Sequence, residues 1–275
     1  MSGLLEITIL GCGSSGGVPR ADGEWGACNP ANPKNHRSRC SLLVRRKGAG
    51  AEHETTVVVD TSPDFRLQSA GAGVKRLDAV LLSHDHADQV HGLDDVRAFF
   101  LRQRGQRIHT FMDASTRETM MRRFSYIFEG EAGYPSICEP KTLPPHGAPF
   151  SIAGPSGPIP VVTFDQDHGP MRSVGFRFGD VAYSSDVVDL TDEAFEALQG
   201  LDVWIVDALR YRPHPTHAHL ERTIEWIARA KPRRAILTNM HIDLDYETLA
   251  GELPPGVEPA FDGLRLEHEL GVEFS

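Results

Sequence analysis

Short apolar runs separated by polar turns predict a chain built mainly of β-strands, with a few amphipathic helices between them. In the first half, strands are predicted at residues 6–10, 41–46, 55–60 and 79–83, and helices at 93–102 and 115–124. In the second half, strands are predicted at residues 159–164, 173–178, 181–184, 203–207 and 234–237, and helices at 192–198 and 220–230. Thr191, followed by Asp192 and Glu193, is typical of a helix start.

The Pro- and Gly-rich stretch 143–160 interrupts this pattern and predicts a connector between two halves. No sequence repeat relates the halves, and we expect residues 1–275 to form a single domain. With 275 residues, 40% hydrophobic and 24% charged, the chain is long enough to bury a large core and has the composition of an ordinary soluble domain.

The formal net charge of -10 argues against broad nucleic-acid binding, which depends on Lys and Arg neutralising phosphates. The four cysteines form neither a CxxC pair nor a disulfide framework. The apolar run 7–10 is short and follows no basic region, so neither a signal peptide nor a membrane span is expected. A cytoplasmic protein is the default expectation.

The strongest candidate for chemistry is the segment 83–89, Ser-His-Asp-His-Ala-Asp-Gln, directly after the apolar run 79–82. Side chains alternate along a strand, so His84 and His86 are predicted to share one face, and the following loop brings in Asp88. Solvated residues at a strand end are the alternative. Two His and two Asp within five residues favour a divalent metal site instead.

This spacing resembles the His-x-His-x-Asp-His signature of the metallo-β-lactamase superfamily, except that Gln89 replaces the last His. The superfamily then supplies a His, an Asp and a His at successive strand ends. The matching residues here are His168, Asp186 and His241, each at the end of an apolar run. Asp186 resembles the aspartate that bridges two metals.

The segments 11–19, 59–66, 183–186 and 261–263 resemble the PhnP-like branch, which contains phosphoribosyl cyclic phosphodiesterases. The resemblance implies an α/β fold, the metallo-β-lactamase-like four-layer αβ/βα sandwich. It also implies two divalent ions, Zn or Mn, and hydrolysis of a small cyclic or nucleotide-like phosphodiester through a metal-bound hydroxide.

The implied ligand sets follow from the same resemblance. One ion would be held by His84, His86, His168 and Asp186, and the other by Asp88, Asp186 and His241, completed by Gln89 or His91. An amide oxygen is a poorer zinc ligand than imidazole, so the second site is expected to be the weaker one. Asp60 either orients a ligand His or is a solvated strand end.

A second group of histidines, His214, His217 and His219, precedes a predicted helix. A surface metal-scavenging tract is one interpretation. The resemblance implies instead that His217 protonates the leaving oxygen. His219 is expected to be either a structural residue or a residue at the helix N-terminus. Catalytic roles are therefore predicted for Asp88 and His217.

In the Gly-rich loop 11–19, the hydroxyls of Ser14 and Ser15 are candidates to bind a phosphate oxygen together with His217; a tight turn is the alternative. Some PhnP-like proteins carry a structural zinc in a cysteine cluster near this loop. Cys28 is alone in its segment, so that zinc is not expected.

The expected partner is a small phosphodiester or nucleotide-like substrate, without broad nucleic-acid or membrane binding, and a homodimer is compatible with these features. Two other function classes stay open. One is a different hydrolase on the same fold, cleaving a thioester, a lactam or RNA. The other is a non-catalytic, metal-stabilised binding protein.

Overall fold

The alternating apolar runs form two mixed β-sheets of seven strands each in a computed structural model that describes residues 3–48 and 53–270. The strands of the first sheet are β1 (Leu4–Gly11), β2 (Ser41–Arg46), β3 (Thr55–Val59), β4 (Ala79–Leu81), β5 (Ile108–Met112), β6 (Cys138–Thr142) and β14 (Arg265–Glu269). Their order is β14-β1-β2-β3-β4-β5-β6. The pairs from β14 to β3 are antiparallel, and those from β3 to β6 are parallel.

The second sheet repeats this arrangement. Its strands are β7 (Phe150–Ile152), β8 (Ile159–Asp167), β9 (Arg172–Phe178), β10 (Val181–Ser184), β11 (Val203–Asp207), β12 (Arg234–Thr238) and β13 (Val257–Pro259), in the order β13-β12-β11-β10-β9-β8-β7. The pairs from β10 to β13 are parallel, and those from β7 to β10 are antiparallel. The parallel strands of both sheets therefore end in loops that can share one cleft.

Helices cover the outer faces of the sheets. They are α1 (Phe65–Gly71), α2 (Ala87–Val90), α3 (Arg97–Arg102), α4 (Ala114–Arg123), α5 (Ser125–Phe128), α6 (Asp192–Ala197), α7 (Leu220–Ala230) and α8 (Tyr246–Glu252). Along β3, Val57 and Val59 join the core between the sheets, whereas Val58 joins the core beneath the helices of the first sheet. This period of two places apolar residues on both faces of the strand. The resulting layers are those of an α/β sandwich.

Most predicted elements are present, with boundary differences that affect the site. The predicted strand 79–83 ends at Leu81, so a loop presents His84. The predicted helix 93–102 is a 3-10 turn at Leu93–Val96 followed by α3. The predicted connector 143–160 contains β7 and carries the chain from the edge of the first sheet to the edge of the second. None of the helices within residues 3–48 and 53–270 has the length and apolar character needed to cross a membrane.

Candidate metal centre

Polar residues follow the ends of neighbouring parallel strands and meet at one edge of the two sheets. Asp60 follows β3, Asp186 follows β10 and Asn239 follows β12, with φ of 60°, 54° and 60°. Asp and Asn adopt this left-handed conformation more readily than other non-glycine residues. The backbone therefore turns sharply at each strand end and directs a short polar side chain into the cleft.

Three imidazoles form the centre of this cleft. The ring centroid of His84 lies 4.6 Å from that of His86 and 4.9 Å from that of His168. The centroids of His86 and His168 are 5.1 Å apart. The His168 Nε2 and His86 Nδ1 atoms are 3.2 Å apart. The buried His84 Nε2 has no hydrogen-bond partner within the described residues. Converging ring nitrogens of this kind suit a divalent ion of the zinc type.

Hydrogen bonds to the Nδ1 atoms of His168 and His84 determine which ring nitrogen of each faces the middle of the imidazole cluster. The His168 Nδ1 lies 2.7 Å from the carbonyl oxygen of Thr216, so Nδ1 carries the proton and Nε2 presents a lone pair. The Ser83 hydroxyl donates to Asp60 Oδ2 at 2.8 Å and lies 3.0 Å from His84 Nδ1. Asp60 therefore orients His84 through Ser83, and Asp60 is fully buried rather than solvated.

The electrostatics also favour neutral imidazoles. Burial lowers the pKa of His84 well below its ordinary value, and the neighbouring histidines lower it further. Burial and the charge of His217 lower the pKa of His168 to about 4. Neutral imidazole is the form that binds metals. The residues at this position therefore fit a divalent ion.

The residues predicted for a second ion are arranged differently. The Gln89 amide nitrogen lies 3.3 Å from Asp88 Oδ2 and 3.0 Å from Asp186 Oδ2. The buried Gln89 Oε1 has no hydrogen-bond partner in the described part of the chain. The amide nitrogen that faces the two carboxylates is a donor and cannot bind a cation, so Gln89 would have to turn its amide to offer Oε1 as a ligand.

His241 and His91 lie outside the imidazole cluster. The His241 Nε2 contacts the Arg20 guanidinium, and its Nδ1 lies 3.2 Å from Asp243 Oδ2. The exposed ring of His91 packs against Phe124, with centroids 6.1 Å apart. Gln89 and His91 are the two side chains predicted to complete the ligand set of the second ion. The Gln89 amide faces the carboxylates of Asp88 and Asp186, whereas His91 lies against Phe124.

His217 stands beside the imidazole cluster, with its ring centroid 4.8 Å from that of His168. Its Nδ1 lies 3.0 Å from Asp207 Oδ2, 3.1 Å from Asn239 Nδ2 and 3.9 Å from Asp186 Oδ1. Burial alone would lower the pKa of His217, but the Asp207 carboxylate outweighs it and raises this pKa to about 9. His217 is therefore an imidazolium at neutral pH, next to the neutral imidazole of His168.

Sequence reasoning missed Asp207 and Asn239. Both stand at the ends of predicted strands, as Asp186 does, and that shared position was the available signal. Among the other histidines of the 214–219 group, His219 is the residue preceding α7, as expected. His214 lies with its ring centroid 5.1 Å from that of His217, so it belongs to the same cleft.

Two cavities open on either side of the loop that follows β1. One, of about 590 Å³, is lined by Ser15, Arg20, Arg39 and Asp88 among others. The other, of about 330 Å³, contains Ser14, Ser15, Arg20, Arg210, His214, His217 and His241 in its lining. The predicted substrate-binding serines thus face the cleft, with Ser14 buried and Ser15 exposed.

Cys28 lies beside the buried Arg37 rather than a second thiol. The Arg37 guanidinium donates to the carbonyl oxygen of Leu244 at 2.7 Å and lies 3.9 Å from the Cys28 sulfur. This contact joins the loop after β1 to the loop after β12. It thereby supports the segment that carries His241, whose carbonyl oxygen accepts from Arg37 at 3.4 Å.

Comparison with known proteins identifies the family. Residues 55–242 match the model of the β-lactamase superfamily domain, and this range contains every candidate metal ligand. The chain belongs to the metallo-β-lactamase superfamily. It is also similar to the crystal structure of a diphosphatase from the PhnP family, with a TM-score of 0.86 and 32% identity over 99% of this chain and 100% of that one. This metallo-β-lactamase superfamily member is therefore PhnP-like, as the sequence motifs predicted.

More distant structures share the fold. Zinc-bound PqqB from Methylobacterium extorquens superposes with a TM-score of 0.69 at 18% identity, covering 95% of this chain and 99% of PqqB. Yeast PDE1 superposes with a TM-score of 0.65 at 13% identity, covering 96% and 99% of the two chains. The predicted four-layer metallo-β-lactamase sandwich is confirmed.

One curated relative is named for a different activity. An octanoyltransferase from Porphyromonas gingivalis (strain ATCC BAA-308 / W83) is 31% identical over 279 residues, which cover 98% of this chain and 53% of the relative. This chain spans about half the length of that protein. The superfamily match and the His and Asp cluster together show a metallo-β-lactamase fold with a group of residues that could hold a divalent metal ion.

Proposed function

We propose that this protein is a metal-dependent phosphodiesterase acting on a small cyclic or nucleotide-like phosphodiester. The observation that carries the proposal is the His217–Asp207 pair, which holds an imidazolium beside the cluster of His84, His86 and His168. A proton donor next to a metal-binding cluster is what cleavage of a poor alkoxide leaving group requires. The similarity to a PhnP-family diphosphatase supports phosphorus chemistry.

Two divalent ions, zinc or manganese, are proposed for the centre. His84, His86 and His168 would hold the first, with Asp186 near His168; Asp88, Asp186, His241 and Gln89 would hold the second. A divalent ion bound there would polarise the phosphoryl oxygen and lower the pKa of water. Because Gln89 faces Asp88 and Asp186 with its amide nitrogen and could offer only a neutral oxygen after the amide turns, the second ion would be held less tightly than the first.

In the proposed reaction, a water releases one proton to solvent, the resulting hydroxide oxygen forms a new bond to phosphorus, and the bond from phosphorus to the leaving oxygen breaks. His217 donates its proton to that oxygen, and Asp207 holds the imidazole in position for the transfer. The Ser14 and Ser15 hydroxyls would contact the phosphate side of the substrate, and Asp88 would act there through the second ion that it holds. The proposed substrate is a small molecule, and we propose neither broad nucleic-acid binding nor membrane binding. A homodimer is compatible with this site.

Leaving-group dependence tests the proposal. Wild-type enzyme with zinc or manganese should hydrolyse both bis-p-nitrophenyl phosphate and adenosine 2′,3′-cyclic phosphate. The substitution His217→Ala should slow cleavage of the cyclic substrate by about 10²–10⁴-fold. It should affect the nitrophenyl ester much less, because nitrophenolate departs without a proton. Equal losses on both substrates would assign His217 to binding, and an inactive wild type on both would reject the proposal.

Acyl-thioester hydrolysis is the second candidate, favoured by the octanoyltransferase relative. Acyl transfer through a cysteine is not supported, because burial raises the pKa of each of the four thiols, Cys138 to about 12. Water would then be the acyl acceptor. Turnover of an S-octanoyl thioester at a higher kcat/KM than either phosphodiester would favour this function over the first.

A further inference from the structure

The segment 261–263 resembles the PhnP-like branch in sequence, yet none of its residues belongs to the imidazole cluster or lines either of the two cavities described above. It lies between β13 and β14, at the far end of the chain from the Gly-rich loop. The carboxylate of Asp262 nevertheless reaches the connection between β1 and β2. This connection, residues 12–40, is called the β1–β2 loop below.

Asp262 accepts hydrogen bonds from both ends of the β1–β2 loop. At the first end, its Oδ1 accepts from Cys12 N at 3.0 Å and from the Cys12 thiol at 3.4 Å. At the other end, its Oδ2 accepts from Ser38 N at 2.7 Å and from the Ser38 hydroxyl at 2.6 Å. Burial raises the pKa of Asp262 to about 6, so the group is ionised at neutral pH and both oxygens accept. One carboxylate therefore joins the two ends of the loop.

The two ends also pack directly on each other. Gly13 N donates to the carbonyl oxygen of Ser38 at 2.8 Å, and a Cβ added at Gly11 would lie 2.1 Å from the carbonyl oxygen of Arg39. The Gln68 side chain of α1 donates through Nε2 to Ser38 Oγ and to the Arg39 carbonyl oxygen, both at 2.8 Å. Because the ends are this close, losing a hydrogen bond at one of them displaces the loop and not a single side chain.

The β1–β2 loop forms a wall of the cleft. Ser15 lines both cavities and Ser14 lines the smaller one, and these are the serines proposed to contact the substrate. Next to the first end of the loop, Cys12 O accepts from Met240 N at 2.9 Å, and Ser14 N donates to Met240 O at 3.3 Å. The proton donor His217 and the imidazole cluster come from other loops. The position of the two serines relative to the reacting centre is therefore set where this loop begins and ends.

We propose that Asp262 is a positioning residue for substrate binding. By holding both ends of the β1–β2 loop, it fixes Ser14 and Ser15 at the distance from the metal centre that the substrate requires. Asp262 acts through the loop and touches neither substrate nor metal. The inference rests on the proposed role of these two serines, and it applies equally to a phosphodiester and to an acyl thioester bound in the same cleft.

Asp262→Asn tests this role, because it keeps the size of the side chain and removes one of its two accepting oxygens. The backbone N–H of either Cys12 or Ser38 then faces an amide NH₂, so one end of the loop is released. KM for adenosine 2′,3′-cyclic phosphate should rise about tenfold, since a hydrogen bond to a charged group is worth that factor or more. We expect kcat to change by about twofold or less, because the reacting groups stay in place. The Tm shift on adding zinc should be retained.

Amide hydrogen exchange locates the effect without using turnover. Exchange in residues 13–39 of Asp262→Asn should be about tenfold faster than in wild type, because local opening of the loop governs it. Exchange in β10, β11 and β12 should be unchanged. Ser38→Ala removes one donor at one end of the loop, and it should give the same pattern at smaller size. This second variant keeps the test available if Asp262→Asn does not fold.

Glu258→Gln is the matched control. Glu258 is a carboxylate on β13, four positions before Asp262, and it pairs with Arg234 of β12. In the part of the chain that the structure describes, this pair makes no hydrogen bond to the β1–β2 loop. The substitution removes an ion pair from the same region, and it should leave KM, kcat and the exchange of residues 13–39 as in wild type.

Other outcomes would overturn the inference in distinguishable ways. If Asp262→Asn and Ser38→Ala only lower the free energy of unfolding, with KM and loop exchange as in wild type, Asp262 is structural support alone. If kcat and zinc content fall together, Asp262 acts on the metal centre. If wild type cleaves an S-octanoyl thioester and no phosphodiester, the phosphodiesterase proposal fails, and KM for the thioester then tests Asp262 in the same way. A wild type that hydrolyses neither class rejects both proposals.

Discussion

The contact between Asp207 and His217 is the residue-level feature on which the proposed chemistry of the cleft depends. Asp207 is fully buried, and its Oδ2 accepts from Val187 N at 3.1 Å as well as contacting His217. A buried carboxylate that cannot rotate away stabilises the imidazolium strongly. The same residue type at an exposed position would shift the pKa of His217 far less.

Asp207→Asn should therefore move the pH profile. A general acid works in its protonated form, so wild-type kcat on a cyclic phosphodiester should fall as pH rises past about 9, where His217 loses its proton. Without the Asp207 charge, the fall should begin nearer the ordinary histidine value of about 6.5. The measurement is kcat from about pH 5 to about pH 10. An unshifted alkaline limb would contradict this role for Asp207.

Gln89 is the residue on which the affinity for the proposed second ion depends. Its amide lies between Asp88 and Asp186, where imidazole would be a stronger zinc ligand. Metal analysis after mild chelation should find that wild type loses one ion first and loses activity with it. Gln89→His should retain two zinc ions under the same conditions. If wild type holds two zinc ions as tightly as the variant, the coordination is completed in another way, with His91 the first residue to test.

At the scale of elements, α8 depends on a residue that also secures the loop after β1. Asp245 accepts from Thr248 N at 3.0 Å as the cap of α8, from Asn29 N at 3.0 Å and from Asn35 Nδ2 at 2.7 Å. These hydrogen bonds outweigh partial burial and lower the pKa of Asp245 to about 2. One carboxylate thus joins a helix of the second half to the loop that carries the cavity serines.

Asp245→Ala should lower the free energy of unfolding by about 1–3 kcal/mol at neutral pH. Because the folded-state pKa is lowered, this contribution is present above about pH 4 and is lost as pH falls through about 2. Urea unfolding at several pH values should show the difference from wild type shrinking towards acid. Glu247→Ala, exposed on the same helix, is the control and should change stability by about 0.5 kcal/mol or less.

At the scale of the whole molecule, the metal centre joins the two sheets. His84 follows β4 of the first sheet, and His168 follows β8 of the second, so an ion shared by them would cross-link the sandwich. Binding to the folded state alone stabilises it, by about 2.7 kcal/mol at a free metal concentration one hundred times Kd. Metal binding should therefore be visible in thermal unfolding.

Adding zinc or manganese to metal-free protein should raise Tm by several degrees. His84→Ala and His168→Ala should abolish most of this shift and the hydrolytic activity with it. His91→Ala should keep it, because the exposed His91 packs against Phe124 away from the cluster. A full Tm shift in His84→Ala would reject the assignment of the imidazole cluster as the tighter metal site.

Local sequence encodes several features of this fold and of its candidate metal site. The alternation of Val57, Val58 and Val59 between two cores is encoded within a few residues, because strand side chains point to opposite faces in turn. The spacing of His84 and His86 after such a strand likewise indicates ligands at a strand end. Motifs of this length predicted the superfamily, the fold and the three imidazoles.

The tertiary structure decided which distant residues meet. Asp207 pairs with His217, Arg20 contacts His241, and Asp245 reaches Asn35 across 210 positions of sequence. Short edge strands such as β13 and β14 also escaped prediction, because their pairing is set by the neighbouring strand and not by their own periodicity. Local sequence specifies the direction of a side chain within its own element. The charge and hydrogen-bond partner that side chain meets depend on the register of strands and loops far apart in sequence, which only the packed sandwich establishes.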